Sequence, residues 1–88
     1  MERYLILYTK HALKDAKKIK ATHLEEKVVE LLEIIQVDPF KKPPNYEKLI
    51  GNLKGAYSRR INIHHRLVYE VLEDSKTIKI LRMWSHYE

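Results

Sequence analysis

The chain has 88 residues, of which 44% are hydrophobic and 33% charged, a composition that supports one modest core and excludes both a disordered tail and two separate domains. It has no cysteine, which excludes disulfides, thiolate catalysis and zinc knuckles, and no apolar run approaches the roughly 20 residues needed to cross a bilayer. Lys and Arg number 17 against 12 Asp and Glu, for a net charge of +5. The excess is uneven: residues 1–39 carry 7 basic and 7 acidic side chains, residues 40–88 carry 10 and 5, which points to a basic face suited to phosphate backbones or acidic partners.

The first segment, MERYLILYTK, is too short in its apolar stretch and wrongly flanked for a signal peptide, so a cytoplasmic location and no membrane partner are expected. Tyr4 to Thr9 reads as a buried strand, short, apolar and rich in β-formers. Thr9 is a candidate N-cap for a helix from Lys10 to about Lys20, with Ala12, Leu13, Ala16 and Ile19 on one stripe; Lys14, Lys17, Lys18 and Lys20 form its wet face. Thr22 opens a second helix in a capping-box pattern with Glu25, and Leu24, Val28, Leu31, Leu32 and Ile35 recur at helical spacing. Pro39 stops it near Val37–Asp38.

Asp38 to Tyr46 (DPFKKPPNY) holds all three prolines and reads as a surface linker. Glu47 to Leu53 reads as a loop or a short edge strand, with turns at Gly51–Asn52 and Gly55. From Ala56 the pattern becomes strand in three runs, AYSRRINI, RLVYEVL and TIKILRMW, with breaks at Asn62–His65 and Glu73–Lys76 short enough for hairpins. The order β-α-α-β-β-β predicts a single α+β domain over 1–88, with two N-terminal helices packed on one face of a mainly antiparallel sheet.

Period-two alternation sorts the first hairpin once its turn is centred near Ile63, which sets Arg60 opposite Arg66. Tyr57, Ile61, Leu67, Tyr69 and Val71 then share an apolar face that the helices cover. Ser58, Arg60, Asn62, Arg66 and Glu70, with Val68 among them, share a polar, open face. Two arginines directly across a sheet repel each other. The pair reads equally as a solvated face neutralised by Glu70 and as a cradle for an anion, since planar guanidiniums suit two-point phosphate contact. Arg59 alternates onto the covered face and is expected to snorkel at the edge or to pair with a helix carboxylate. Trp84, Tyr46 and Tyr57 read as packing residues. The five histidines have no metal-ligand spacing, and His64–His65 would point to opposite sides of a strand, so neither a metal nor a cofactor is expected.

NLKGAYSRRINIHHRLVYEV, with Pro44–Glu47 before it and the closing His86–Tyr87, resembles the Txe/YoeB group of RelE-like toxins. The ordered set is Glu47, Asn52-Leu53-x-Gly55, Tyr57-Ser58-Arg59-Arg60-Ile61, His65-Arg66-Leu67-Val68-Tyr69 and His86-Tyr87, and the order of elements matches that family along the whole chain. The resemblance implies a RelE-like fold and a toxin that cuts messenger RNA in the A site of the 70S ribosome, neutralised by a cognate antitoxin protein; a toxin homodimer is a further candidate assembly. Carried over by position, it implies Glu47 as general base, Arg60 and Arg66 as phosphate-binding arginines, His86 as general acid and Tyr87 as completing the site. Lys48 and Lys54 lie nearby without matching a family position and are further RNA-binding candidates. Many members have a lysine three residues after the glutamate; here that residue is Ile50. The competing reading is a non-catalytic module of the same fold that binds RNA or antitoxin without cutting. A candidate base, a candidate acid and two arginines in one chain favour the enzyme, because a binding-only groove gains nothing from a carboxylate that repels phosphate.

Overall fold

The computed structural model describes residues 3–84, so His86 and Tyr87 lie outside the described residues. Strand β1 (Leu5–Tyr8) is followed by helices α1 (Lys10–Lys20) and α2 (Glu25–Val37), a two-residue strand β2 (Glu47–Lys48), a 3-10 turn (Gly51–Leu53) and strands β3 (Ala56–Arg60), β4 (Arg66–Leu72) and β5 (Thr77–Arg82). The five strands lie in the order β1-β5-β4-β3-β2. β1 runs parallel to β5, and every other pairing is antiparallel. The expected α+β architecture, with both helices on one face of the sheet, is what the chain adopts.

The core forms between those helices and the sheet. Ala12 and Ile19 of α1 and Val28, Leu31 and Ile35 of α2 meet Leu67, Tyr69, Ile78 and Ile80 of the central strands, all of them buried. Leu13, assigned to the buried stripe, is half-exposed. Thr9 caps α1 as its position predicts, its hydroxyl accepting from the Ala12 amide at 3.0 Å. α2 begins differently. The capping box from Thr22 does not form: helix geometry starts at Glu25 with no side-chain cap. The Thr22 hydroxyl instead accepts from the Leu24 amide at 3.0 Å and donates to the Ile19 carbonyl at 2.7 Å, so it closes the turn between the helices.

β1 is not the buried strand its composition suggested. It pairs with β5 alone, at the edge of the sheet, and Leu5 and Leu7 are 59% and 49% exposed because alternation turns them to the side the helices do not cover. The register of β3 on β4 is the one predicted, Arg60 opposite Arg66 and Tyr57 opposite Tyr69. Asn62 sets the intervening turn, its side-chain oxygen accepting from the His64 and His65 amides at 2.9 and 2.7 Å while the Ile61 amide reaches the His65 carbonyl at 2.9 Å. His64 and His65 therefore belong to a turn, not to a strand. The polar face is also less open than alternation implied, because Val68 is buried with Leu49 and Ala56 in a small second cluster against which Leu53 and Leu81 pack. Gly51 and Gly55, at φ +69° and +98°, supply the turns that fold the segment after β2 back onto that face.

Candidate active site

Residues 38–46 form the proline-rich linker, and what holds it is Arg59. This side chain is fully buried and neither snorkels nor pairs with a helix carboxylate. Its guanidinium donates to the carbonyls of Pro39 (3.0 Å), Lys41 (2.9 Å) and Pro44 (2.7 Å), and its Nε to the Tyr69 hydroxyl at 3.0 Å. The linker lies over β3, and its proline-rich backbone presents carbonyls that no strand or helix can use. A fixed fork of donors meets that need where an aliphatic side chain cannot. Four aromatic rings fill in around it: Phe40 packs edge-on against Tyr57 at 5.1 Å and Tyr46 edge-on against Tyr57 at 5.8 Å, while Tyr57 lies tilted against Tyr69 at 5.9 Å. Tyr46 and Tyr57 are thus packing residues, as read from the sequence. Burial pushes the Tyr69 phenol above its ordinary value of 10.0, and the Arg59 contact opposes that rise without cancelling it.

The linker so held leads directly into β2, which pairs with β3 through Glu47 opposite Ser58 and Lys48 opposite Tyr57. Glu47 therefore points to the face that carries Ser58, Arg60 and Arg66, and Lys48 to the other. A cleft of about 670 Å³ results, lined by Lys42, Pro44, Asn45, Tyr46, Glu47, Ser58, Arg60 and Arg66. Across it Arg66 Nη1 donates to Glu47 Oε1 at 3.4 Å. The carboxylate that sits beside the arginines is therefore Glu47, from the neighbouring strand β2; Glu70, read as the candidate for that place, stands opposite Lys79 in the β4–β5 register. The Glu47 side chain is 65% exposed and that of Arg66 20%, so their contact adds little to stability, within about 1 kcal/mol. Both remain available to a ligand.

Three of the residues singled out in the sequence, Glu47, Arg60 and Arg66, are thus brought into one cleft. Lys48 and Lys54 are not: they line a neighbouring recess with Ile50, Gly55 and Tyr57. Ile50 itself is 86% exposed. Lys42 also lines the cleft, a residue that the motif does not mark and that only the basic pair Lys41–Lys42 a few residues before Glu47 signals; its Nζ lies 5.2 Å from the Tyr46 ring centre. Trp84 packs partly buried against the core, and its ring stacks on His65 at 4.1 Å and 20°. The last described residue is thereby fixed beside the residue that precedes Arg66.

This fold is shared with solved bacterial toxins. A YoeB/ParE toxin from Agrobacterium tumefaciens superposes with a TM-score of 0.87 at 27% identity, over 94% of this chain and 99% of that one. The toxin in a YoeB–YefM complex from Staphylococcus aureus superposes at 0.81 and 38% identity, over 97% and 99%. Toxin YoeB of Escherichia coli K12 is 42% identical over 62 residues, 70% of this chain and 71% of its own. Residues 8–87 match the model of the YoeB-like toxins of bacterial type II toxin–antitoxin systems. The chain belongs to that family.

Proposed function

We propose that this toxin is a metal-free endoribonuclease that cuts messenger RNA on the 70S ribosome, in the cytoplasm, and is silenced by a cognate antitoxin. The observation that carries this reading is the cleft itself: a carboxylate in contact with one arginine and a second arginine directly across the hairpin from it. RNA brings its own nucleophile, so the protein need only move protons and hold charge. Glu47 takes the proton of the 2′-hydroxyl as that oxygen bonds to the adjacent phosphorus. Arg60 and Arg66 stabilise the charge that grows on the phosphoryl oxygens. The P–O5′ bond then breaks, and His86 supplies the proton to the departing oxygen, with Tyr87 beside it. The products are a 2′,3′-cyclic phosphate and a 5′-hydroxyl. An imidazole, with a reference pKa of about 6.5, suits the acid's task.

Lys48 and Lys54, outside the cleft, would meet phosphates flanking the one that is cut. The Staphylococcus aureus relative has been solved both with YefM and as a YoeB dimer, which supports an antitoxin whose acidic groups compete with phosphate for Arg60 and Arg66, and a toxin homodimer as a second assembly. The test is induction in a bacterial host followed by mapping of mRNA ends. Wild type should arrest growth and cut within translated codons; Arg66→Ala should abolish both effects and His86→Ala reduce them strongly. Equal arrest by wild type and Arg66→Ala removes the basis for the site.

A further inference from the structure

We propose that the Ser58 hydroxyl is a substrate-contacting group of this cleft, donating to a non-bridging oxygen of the phosphate that Arg60 and Arg66 hold. The inference rests on the nuclease reading of the site and deepens it. Ser58 is 1% exposed, and its Oγ has no hydrogen-bond partner among the described residues. A buried hydroxyl in that condition costs stability that alanine in its place would not. Its surroundings give no structural need for oxygen: Ser58 lies opposite Val68 in the β3–β4 pairing, with Ala56 two residues before it on the same face.

What it does have is position. Ser58 stands opposite Glu47 on one side, two residues from Arg60 on its own strand and diagonally two pairs from Arg66 on the next, and it lines the cleft these residues share. The Glu47–Arg66 contact reaches from β2 to β4, passing over β3 on the side that carries Ser58. That contact is weak and largely wet. A phosphate that takes Arg66 parts the pair and opens the way to the hydroxyl beneath. An O–H set among guanidiniums is placed to donate, and an anionic oxygen is the acceptor that suits it.

The experiment uses a fully 2′-O-methylated tetranucleotide, which binds but cannot react, and follows its titration by NMR into wild type, Ser58→Ala and Arg66→Ala, with the melting temperature of each protein measured alongside. Ser58→Ala should bind about tenfold more weakly while melting at the same temperature or higher. A phosphorothioate at the central phosphate should weaken binding to wild type more than to Ser58→Ala, since one partner of the bond is already gone. Equal affinity of wild type and Ser58→Ala overturns the role of Ser58 and leaves the site standing. So does weakened binding with a lowered melting temperature and no difference in the phosphorothioate effect, which would make the hydroxyl structural. Absence of binding to wild type, or binding unaffected by Arg66→Ala, overturns the site reading and this inference with it.

Discussion

Arg59 and Tyr69 converge on a single acceptor, the Pro39 carbonyl, at 3.0 and 2.8 Å, and are bonded to each other at 3.0 Å. The triangle is buried between the sheet and the linker, and it carries the positioning of the segment that delivers Glu47. A charged side chain in the interior is tolerated here because its N–H groups meet three carbonyls and a hydroxyl, which replaces the water it lost.

Arg59→Lys should therefore be far from conservative. One ammonium cannot reach four acceptors spread over the linker, and several carbonyls would be left buried without donors. The expected loss is about 2–4 kcal/mol, read as a lower midpoint in urea unfolding. RNA cleavage should fall as well, although Arg59 lines no part of the cleft. Unchanged stability would mean that the linker is held by its aromatic rings alone.

Tyr69 gives a pH dependence. Its pKa is raised in the folded chain by burial, so the folded state keeps the proton in a range above pH 10 where the unfolded chain has lost it. The stability that follows is fully present below the unfolded value of about 10 and is lost as the pH rises through the folded value. Tyr69→Phe should be less stable at neutral pH, having lost its bond to Pro39, and should show a shallower decline on the alkaline side. Unfolding midpoints measured from pH 8 to 11 on both proteins check this; parallel curves would contradict it.

Asp15 offers a second test of the scaffold. This α1 carboxylate is buried, and one of its oxygens accepts from Arg82 Nε at 2.9 Å and the Met83 amide at 3.0 Å, tying the first helix to the end of β5. Asp15→Ala strands a buried amide and should cost about 1.5–3 kcal/mol in chemical denaturation. The chain segment after β5 should also loosen, with faster amide exchange at Met83 and Trp84. A full-strength amide signal at Met83 in the variant would show that the tie is dispensable.

The cleft residues should behave in the opposite way. Glu47→Gln removes a carboxylate that is mostly exposed and weakly paired, so unfolding should change by less than about 1 kcal/mol. Loss of a general base, by contrast, costs about 10²–10⁴-fold in rate. RNA affinity should hold or improve, since a repulsive charge has gone. Arg60→Ala and Arg66→Ala should each flatten the salt dependence of RNA binding, by about 0.7 in the log–log slope for a single strand. Glu47→Gln protein that cuts programmed ribosomes at the wild-type rate would place the base elsewhere.

Local signals and period-two alternation were legible in the sequence, and long-range partnerships were not. Thr9 as a cap, the stop before Pro39, and Arg60 opposite Arg66 all depend on residues close in the chain or on a short hairpin, and each is found where it was expected. The exposure of β1 depended on which strand would flank it, a matter of topology that composition does not carry. Arg59 was misjudged because its partners are backbone carbonyls 15 to 20 residues away, and carbonyls have no signature in a sequence. Glu47 was singled out through its place in an ordered motif, yet its contact with Arg66 required knowing that two residues of the ambiguous segment form a strand. The same pairing separates Lys48 from the cleft, since neighbours in a strand face opposite ways.

The turn between Ile61 and His65 has a consequence for how freely this molecule can vary. Because side chains alternate sides along a strand, one residue added to or removed from that loop would slide β4 by a single position against β3. Such a slip would drive Arg66 under the helices and put Leu67 into water, dismantling the cleft and the fold in one stroke. Hairpin length here is a shared constraint on chemistry and architecture, and engineers seeking altered specificity would do better to vary the rim than the loop.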